Sequence, residues 1–450
     1  MGSIKIQMPE KVKFIIGRIT AAGFEAYAVG GCVRDSILGR TPQDWDITTS
    51  AKPEQVKALF QRTIDTGIQH GTVTVLLERE GFEVTTYRID GKYEDSRHPT
   101  EVTFTPSLEE DLRRRDLTIN AMAYNDEKGL VDLYGGQEDI RAHMVRCVGD
   151  PKERFGEDAL RILRAIRFAA QLGYHIDDST KEAIRQLAPS LKNISAERIQ
   201  AELVKLITSP HPNYLRQAYE CGVTKVILPE FDLIMETEQN HPHHNCSVGE
   251  HTLRTLTEVE PDKILRLAML FHDIGKPCTL TRDEQDITHF HGHAQVGADM
   301  TRDILRRLKF DNDTIHAVCK LVLYHDYGNG LEPDMRLMRR AVNRMGEDAF
   351  PGLFQIKRAD ILCQSDYLRQ EKLLRLKQWQ QLYKELQEKN QCVSLKTMAV
   401  TGKDLIDLGM KPGRELGEAL QKLLELVLEE PERNNREFLL AKAKEMLTEV

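Results

Sequence analysis

The chain changes character near residue 150, and that change limits its architecture more than any other feature. Residues 24–150 carry short β-rich runs (FEAYAVGG, GTVTVLLE, FEVTTYRID and MVRCVGD), separated by turns and by short helical pieces such as VRDSILG and PEQVKALF. This mixture predicts a small α/β head. From about residue 151 the pattern becomes long helical periodicity, as in EDALRILRAIRFAAQLG and AERIQAELVKLITS, with few β-branched runs. The remainder reads as almost wholly helical, broken most clearly by HPHHNCSVGEH at 241–251 and by LGMKPGRELG. The fold class expected is therefore α+β: an α/β head on an elongated all-α body.

Composition removes several function classes. With 450 residues there is room for about two to four domains. The net charge of −8 argues against a general nucleic-acid coat, so any RNA or DNA contact must be local. The eight cysteines include no CxxC pair and form neither a disulfide framework nor a zinc ribbon. No run approaches the ~18 apolar residues of a membrane helix. The first residues lack the apolar segment of a secretory signal, and Ile6 stands where myristoylation needs Ser or Thr. A cytoplasmic location without membrane contact is expected.

Chemistry begins at GGCVRD, 30–35. Two glycines between a strand and a helix let the backbone approach a phosphate at Gly31, with Arg34 adding a fork of donors. Asp44-Trp45-Asp46 follows. On a strand, positions i and i+2 share a face, and two carboxylates there suit a hard cation such as Mg²⁺. A surface turn with two solvated aspartates is the competing reading. Glu83, opening EVTTYR, is placed to support that pair from a neighbouring strand. In LRRRDLTINAM (112–122), Arg115 is a candidate triphosphate clamp, and Asp116 or Asn120 a partner for a ribose hydroxyl on a short apolar helix. Neither GxxxxGK[ST] nor a strand-linked GxGxxG occurs, which removes P-loop and dinucleotide folds.

GGCVRD, DWD, EVTTYR and RRDLTINAM, in that order, resemble the head of the class II tRNA nucleotidyltransferases, the CCA-adding enzymes. Bacterial poly(A) polymerases share this head, which belongs to the polymerase-β superfamily. Leu117 stands where many members carry Phe. The resemblance implies a nucleotidyltransferase head over 1–150 and catalytic carboxylates at Asp44, Asp46 and Glu83. It implies a helical neck and body over 151–238 that selects the nucleotide and binds RNA.

In ERFGEDALRILRAIRF (153–168), Glu157, Asp158, Arg161, Arg164 and Arg167 fall at helical steps of three and four. An ion-pair-laced helix face is the plain reading. Chemistry offers a sharper one. Carboxylates accept and guanidinium groups donate. Cytosine and adenine each present an amino donor beside a ring-nitrogen acceptor; guanine and uracil present the reverse polarity. Asp158 with Arg161 would accept C and A, and a mispaired base would leave buried groups unsatisfied at roughly 1–3 kcal/mol each. In the resembling family the EDxxR segment has this role. By analogy Arg164 and Arg167 contact phosphate or help set the switch from C to A.

A second constellation lies in the body. His251, His272 and Asp273 (LFHDIGKP), His289, His291 and His293, His325 and Asp360 form an imidazole and carboxylate donor set. His251, His272, Asp273 and Asp360 fit the H…HD…D pattern and resemble the HD phosphohydrolase superfamily. This implies an HD domain over 239–365 holding Ni, Mn, Fe or Zn, or else an HD fold that has lost its metal. Residues 366–450 then resemble a helical tRNA-binding tail, with LLELVLEE as core and Gly409 and Gly413 bounding a tight turn.

The activity expected is template-independent, Mg²⁺-dependent addition of CCA to tRNA from CTP and ATP, with no obligate protein partner inferred. An A-adding or C-adding specialist, a poly(A) polymerase, an HD phosphohydrolase with a vestigial head, and a non-catalytic RNA-binding protein are the alternatives.

Overall fold

A computed structural model describes residues 4–90 and 102–448. The chain divides into two compact units, Met1–Asp232 and Leu233–Val450.

The first unit is built on a seven-stranded sheet. Its strands are β1 (Ala26–Val29), β2 (Ile47–Thr49), β3 (Thr63–Gly67), β4 (Thr72–Leu77), β5 (Glu80–Thr86), β6 (Met122–Asn125) and β7 (Gly129–Asp132). The order is β3-β4-β5-β2-β1-β6-β7. Only β2 and β5 run parallel; the other pairs are antiparallel. Central strands β1, β2 and β6 are buried throughout, which explains their lack of polar alternation.

The register decides where the motifs meet. Ala28 pairs with Ile47, Val29 with Ala123, and Ile47 with Val84. The end of β1, the start of β2, the start of β6 and the Glu83 level of β5 therefore lie at one end of the sheet. That end collects GGCVRD, DWD, EVTTYR and RRDLTINAM, although they are far apart along the chain.

Several elements differ from expectation. The β2 strand begins at Ile47, so Asp44 and Asp46 lie on the segment leading into it. The Asp46 carbonyl still accepts from the Val29 N–H at 3.0 Å, which carries the ladder one residue beyond the regular strand. MVRCVGD yields only Met144–Val145 as strand, and the expected helix in RRDLTINAM is a single 3₁₀ turn, Thr118–Asn120.

The run 153–168 is not one helix. Helix Pro151–Glu157 stops at Asp158, whose φ of −140° and ψ of 106° are extended, and Leu160–Leu172 starts anew. Asp158 Oδ1 accepts the Leu160 N–H at 3.0 Å, so this aspartate starts the second helix instead of riding on a continuous stripe. The new helix buries Ile162, Leu163, Ala165, Ile166, Ala169 and Ala170, packs against Ala196–Ile207, and ends at Gly173 with φ of 72°.

The second unit is helical. Helices Val248–Thr257, Lys263–Phe271, His293–Arg307, Asn312–Tyr324, Phe350–Cys363 and Arg369–Glu388 are followed by Gly402–Asp407, Arg414–Glu429 and Arg436–Thr448. The expected core character of LLELVLEE is observed: Leu423, Leu424, Val427 and Leu428 pack with Val400, Leu405 and Leu439. Gly409 and Gly413 take φ of 106° and 144°, so the GMKPG turn does use glycine freedom. Among the described residues no helix is long and apolar enough to cross a membrane.

Candidate functional site

At the end of the sheet described above, carboxylates face arginines. Asp46 and Glu83 stand beside each other because Ile47 and Val84 are partners in parallel strands. Crowding by surrounding protein raises the Asp46 carboxyl above its usual range, Arg115 opposes that shift, and Asp44 adds to it. Glu83 is raised in the same way, by desolvation and then by Asp46 and Asp44. Asp44 thus adds negative charge beside both raised carboxyls, and oxygen-only donors suit Mg²⁺.

Arg115 is the nearest cation. Its Nη2 lies 3.6 Å from Asp111 Oδ2, and its buried Nε has no hydrogen-bond partner. Burial depresses its pKa and Asp111 counters this. Asp111 is fully buried, bonds Arg114 at 2.8 and 3.0 Å, and accepts the Thr48 hydroxyl at 3.0 Å. Burial works against its ionisation, but Arg114 and Arg115 prevail and hold it low. Gly30, with φ of 81°, makes room for Arg115: a Cβ there would meet Arg115 Nη1 at 3.1 Å. Gly31 opens the seven-residue helix Gly31–Ile37.

The remaining sequence candidates form one network. Arg34 Nη1 donates to Asn120 Oδ1 at 2.6 Å, and Asn120 Nδ2 donates to Asp116 Oδ1 at 3.4 Å. Arg164 Nε donates to Asp116 Oδ2 at 2.7 Å, and the Leu117 N–H to Oδ1 at 2.9 Å. Asp116 is thus buried with both oxygens engaged by protein. Burial opposes its charge, yet Arg164 and then Arg161 hold its carboxyl far below the usual range. The guanidinium groups of Arg34, Arg164 and Arg167 lie 4.9, 5.4 and 3.8 Å from the centre of the Phe168 ring. Arg167 is buried and paired with Glu202 at 2.5 Å.

Asp158 and Arg161 are held by other groups instead of by each other. Arg198 forks onto Asp158, Nη2 to Oδ2 at 2.7 Å and Nη1 to Oδ1 at 3.3 Å. Arg161 bonds the Glu157 carboxylate, the Arg154 carbonyl at 3.2 Å and the Arg114 carbonyl at 3.0 Å. Asp111, Phe168, Arg198 and Glu202 were missing from the sequence reading. The only local signal was the four-residue spacing of Arg198 and Glu202 on one helix face.

The second unit holds a separate cluster in a cavity of about 620 Å³. His251 Nε2 is 2.8 Å from Asp360 Oδ1. His272 is buried, and its Nε2 has no hydrogen-bond partner although Asp273 Oδ2 lies 3.2 Å away. The four residues expected from the sequence do converge. His293 and His325 join them through Asp273, at 3.5 and 3.7 Å. Burial opposes charge on Asp273, but His272 and Lys276 hold its carboxyl well below the usual range; His251 does the same for Asp360. Burial likewise works against protonated His272 and His325, and Asp273 and Asp326 respectively outweigh it. The cluster draws positive charge, and its donor chemistry fits a transition metal. His289 pairs with Asp283 at 2.8 Å and stacks on His291, outside both ligand triads.

Known proteins match along the same order. Residues 26–146 match the poly A polymerase head domain, 173–235 the probable RNA and SrmB-binding site of polymerase A, and 278–443 a tRNA nucleotidyltransferase domain 2. A CCA-adding enzyme of Lactobacillus helveticus is 37% identical over 417 residues, covering 92% of this chain and 91% of that protein. One from Limosilactobacillus reuteri is 35% identical over 447 residues, covering 98% and 97%. The crystal structure of the Bacillus stearothermophilus CCA-adding enzyme in complex with CTP superposes with a TM-score of 0.74 at 29% identity, covering 99% of this chain and 100% of that one.

Proposed function

The chain belongs to the CCA-adding enzyme family, and from that premise we propose that it adds C, C and A to the 3′ end of tRNA from CTP and ATP, releasing pyrophosphate. The observation that carries this reading is Arg115, whose buried Nε has no hydrogen-bond partner and whose charge acts on Asp46, the carboxyl that Asp44 and Glu83 accompany at one end of the sheet.

The raised carboxyls of Asp46 and Glu83 fit a divalent cation, and Asp44, Asp46 and Glu83 would hold Mg²⁺. When bound, Mg²⁺ would favour ionisation of the RNA 3′-hydroxyl and neutralise the triphosphate. Arg115 offers its free donor to the phosphates, with Gly31 leaving room for their approach. Asp116 acts through Arg164, and Asn120 through Arg34; both fix guanidinium groups that would otherwise sample many rotamers. Asp158 keeps lone pairs beyond those used by Arg198 and Leu160, and these accept the amino group of cytosine or adenine. Arg161 reaches the adjacent ring nitrogen by exchanging one of its present acceptors. Guanine and uracil would set donor against donor and acceptor against acceptor.

The test uses tRNA transcripts ending before CCA, after C and after CC, with Mg²⁺ and each NTP. Stops after three, two and one additions establish CCA synthesis. Addition of A alone to the CC-ended RNA marks a specialist, long tails mark a poly(A) polymerase, and no incorporation overturns the reading.

A second activity is favoured by a separate observation, the orphaned Nε2 of buried His272 among His251, Asp273 and Asp360. These residues would hold Ni, Mn, Fe or Zn, which when bound would activate water toward a phosphate ester. Residues 239–365 would then act as an HD phosphohydrolase. Metal-dependent hydrolysis of a chromogenic phosphodiester should survive Asp44→Ala with Asp46→Ala and be lost in His272→Ala; loss in the head variant would overturn it.

A further inference from the structure

Of the three acids in the first turn of helix Leu108–Arg113, Glu109 and Glu110 are exposed and Asp111 is fully buried. Among the described residues, every group bonded to its carboxylate is a donor. The Thr48 hydroxyl lies 3.0 Å from Oδ2, with Arg115 Nη2 at 3.6 Å on the same oxygen. Arg114 Nε and Nη2, at 3.0 and 2.8 Å, and the Arg88 backbone N–H, at 3.4 Å, meet Oδ1. A carboxylate only accepts, so the ionised acid matches all of them. An asparagine there would turn its amide N–H₂ toward Arg114 in one orientation and toward Arg115 in the other.

Where those partners lead sets Asp111 apart from an ordinary buried ion pair. Thr48 sits in β2 two residues after Asp46, and its hydroxyl is nearer Asp111 than the Thr85 carbonyl, which is 3.3 Å away. Arg88 follows β5, the strand that carries Glu83. Arg115 is the cation whose charge acts on Asp46 and whose buried Nε lacks a partner. Arg114 turns its guanidinium inward onto Asp111 and serves through its backbone, where its carbonyl accepts Arg161 Nη2 at 3.0 Å. One carboxylate therefore ties the strands of Asp46 and Glu83 to Arg115 and to the peptide group that holds Arg161.

We propose that Asp111 is a positioning residue of nucleotide addition: it keeps Arg115 and Arg161 in register with the carboxylate end of the sheet, so that triphosphate grip and base choice share one buried support. The proposal rests on reading Arg115 and Arg161 as nucleotide ligands and adds the group that aligns them. Freed from Asp111, Arg115 regains rotamers and the Arg114 peptide loses its anchor, so both must be re-ordered at each binding event. The loss falls on nucleotide binding and selectivity together and leaves the grip on tRNA alone.

The test uses the full chain. Thr48→Val keeps the side-chain shape and removes one bond to Asp111, whereas Asp111→Asn removes the charge. With Mg²⁺ and tRNA ending before CCA or after CC, steady-state incorporation of each NTP gives KM, kcat and selectivity. Inorganic triphosphate, as a competitive inhibitor, reads the phosphate clamp by itself. Thr48→Val should raise the KM for CTP and ATP and the Ki of inorganic triphosphate about 2- to 12-fold. Incorporation of UTP and GTP should rise in parallel, with the KM for tRNA unchanged. Asp111→Asn should move the same quantities further; if it fails to fold, Thr48→Val decides. Unchanged KM, Ki and selectivity in Thr48→Val, beside losses in Arg115→Ala and Arg161→Ala, would overturn the positioning role alone. A fall in kcat shared by all NTPs, with KM, Ki and selectivity intact, would mark Asp111 as purely structural and overturn it too. No effect of Arg115→Ala on KM and Ki, and none of Arg161→Ala on selectivity, would overturn the reading of these arginines as nucleotide ligands and the proposal with it.

Discussion

Arg198 is the residue whose removal tests the base-reading geometry most directly. Its guanidinium forks onto both oxygens of Asp158 at 2.7 and 3.3 Å, with the two side chains 25% and 17% exposed. Charge-assisted hydrogen bonds contribute about 1.5–3 kcal/mol when buried, and partial exposure lowers this pair to about 1 kcal/mol of stability. Arg198→Ala should therefore fold, with only a small drop in Tm. Its larger effect falls on Asp158, which keeps the Leu160 N–H but loses the partner that fixes its second oxygen. Re-immobilising a freed side chain on binding costs about 0.5–1.5 kcal/mol. At about 1.4 kcal/mol per tenfold, kcat/KM for both CTP and ATP should fall roughly 2- to 12-fold. Rejection of UTP and GTP should weaken in parallel, and Arg198→Lys, which keeps the charge without the fork, should fall between. Steady-state incorporation of each NTP on the three transcripts measures all of this. A rise confined to the KM for tRNA, with nucleotide selectivity intact, would mean that Arg198 serves RNA binding and that the positioning argument is wrong.

Three further outcomes follow from the head. Gly30→Ala places a Cβ 3.1 Å from Arg115 Nη1 at φ of 81°, so it should lose about 1–3 kcal/mol in urea unfolding and raise the KM for NTP; an unchanged KM would separate Arg115 from phosphate binding. Asp111→Ala strips a buried carboxylate from Arg114 and Arg115 and should destabilise by about 3–5 kcal/mol, whereas a loss under about 1 kcal/mol would show that the pair is not buried as described. A carboxyl raised on folding binds its proton more tightly folded than unfolded; ionised at neutral pH it opposes folding, and the opposition fades as pH falls through the folded value. Mg²⁺ should thus raise Tm at neutral pH by an increment that shrinks on acidification and is reduced in Asp44→Asn with Asp46→Asn; an increment that grows toward acid pH contradicts the ligand set.

What could be read from the chain was whatever its local order encodes. GGCVRD, DWD, EVTTYR and RRDLTINAM are contiguous strings whose order carried the family resemblance, and the sheet register gathers them at one end. The break at Asp158 was hidden because EDALRILR continues an unbroken helical pattern, and only the capping bond to Leu160 shows the stop. Asp111 looked like one acid among three in a first helical turn, and its burial under Arg114 and Arg115 is a tertiary fact. His293 and His325 were visible as histidines, but the H…HD…D pattern ends without them. What sets them beside Asp273, at 3.5 and 3.7 Å, is tertiary packing that no side-chain pattern along the chain reports.

The joint between head and helices also bears on how the protein is made. A chain leaves the ribosome N-terminus first, and its domains tend to fold as units. All the sheet strands have been synthesised by residue 132, yet Asp116 waits for Arg164, Arg34 for the ring of Phe168, and Asp158 for Arg198. A nascent chain of 150 residues could hold the carboxylates for Mg²⁺ while lacking the base reader altogether. With Asp158 as the proposed base reader, nucleotide choice would wait until residues near 200 have emerged.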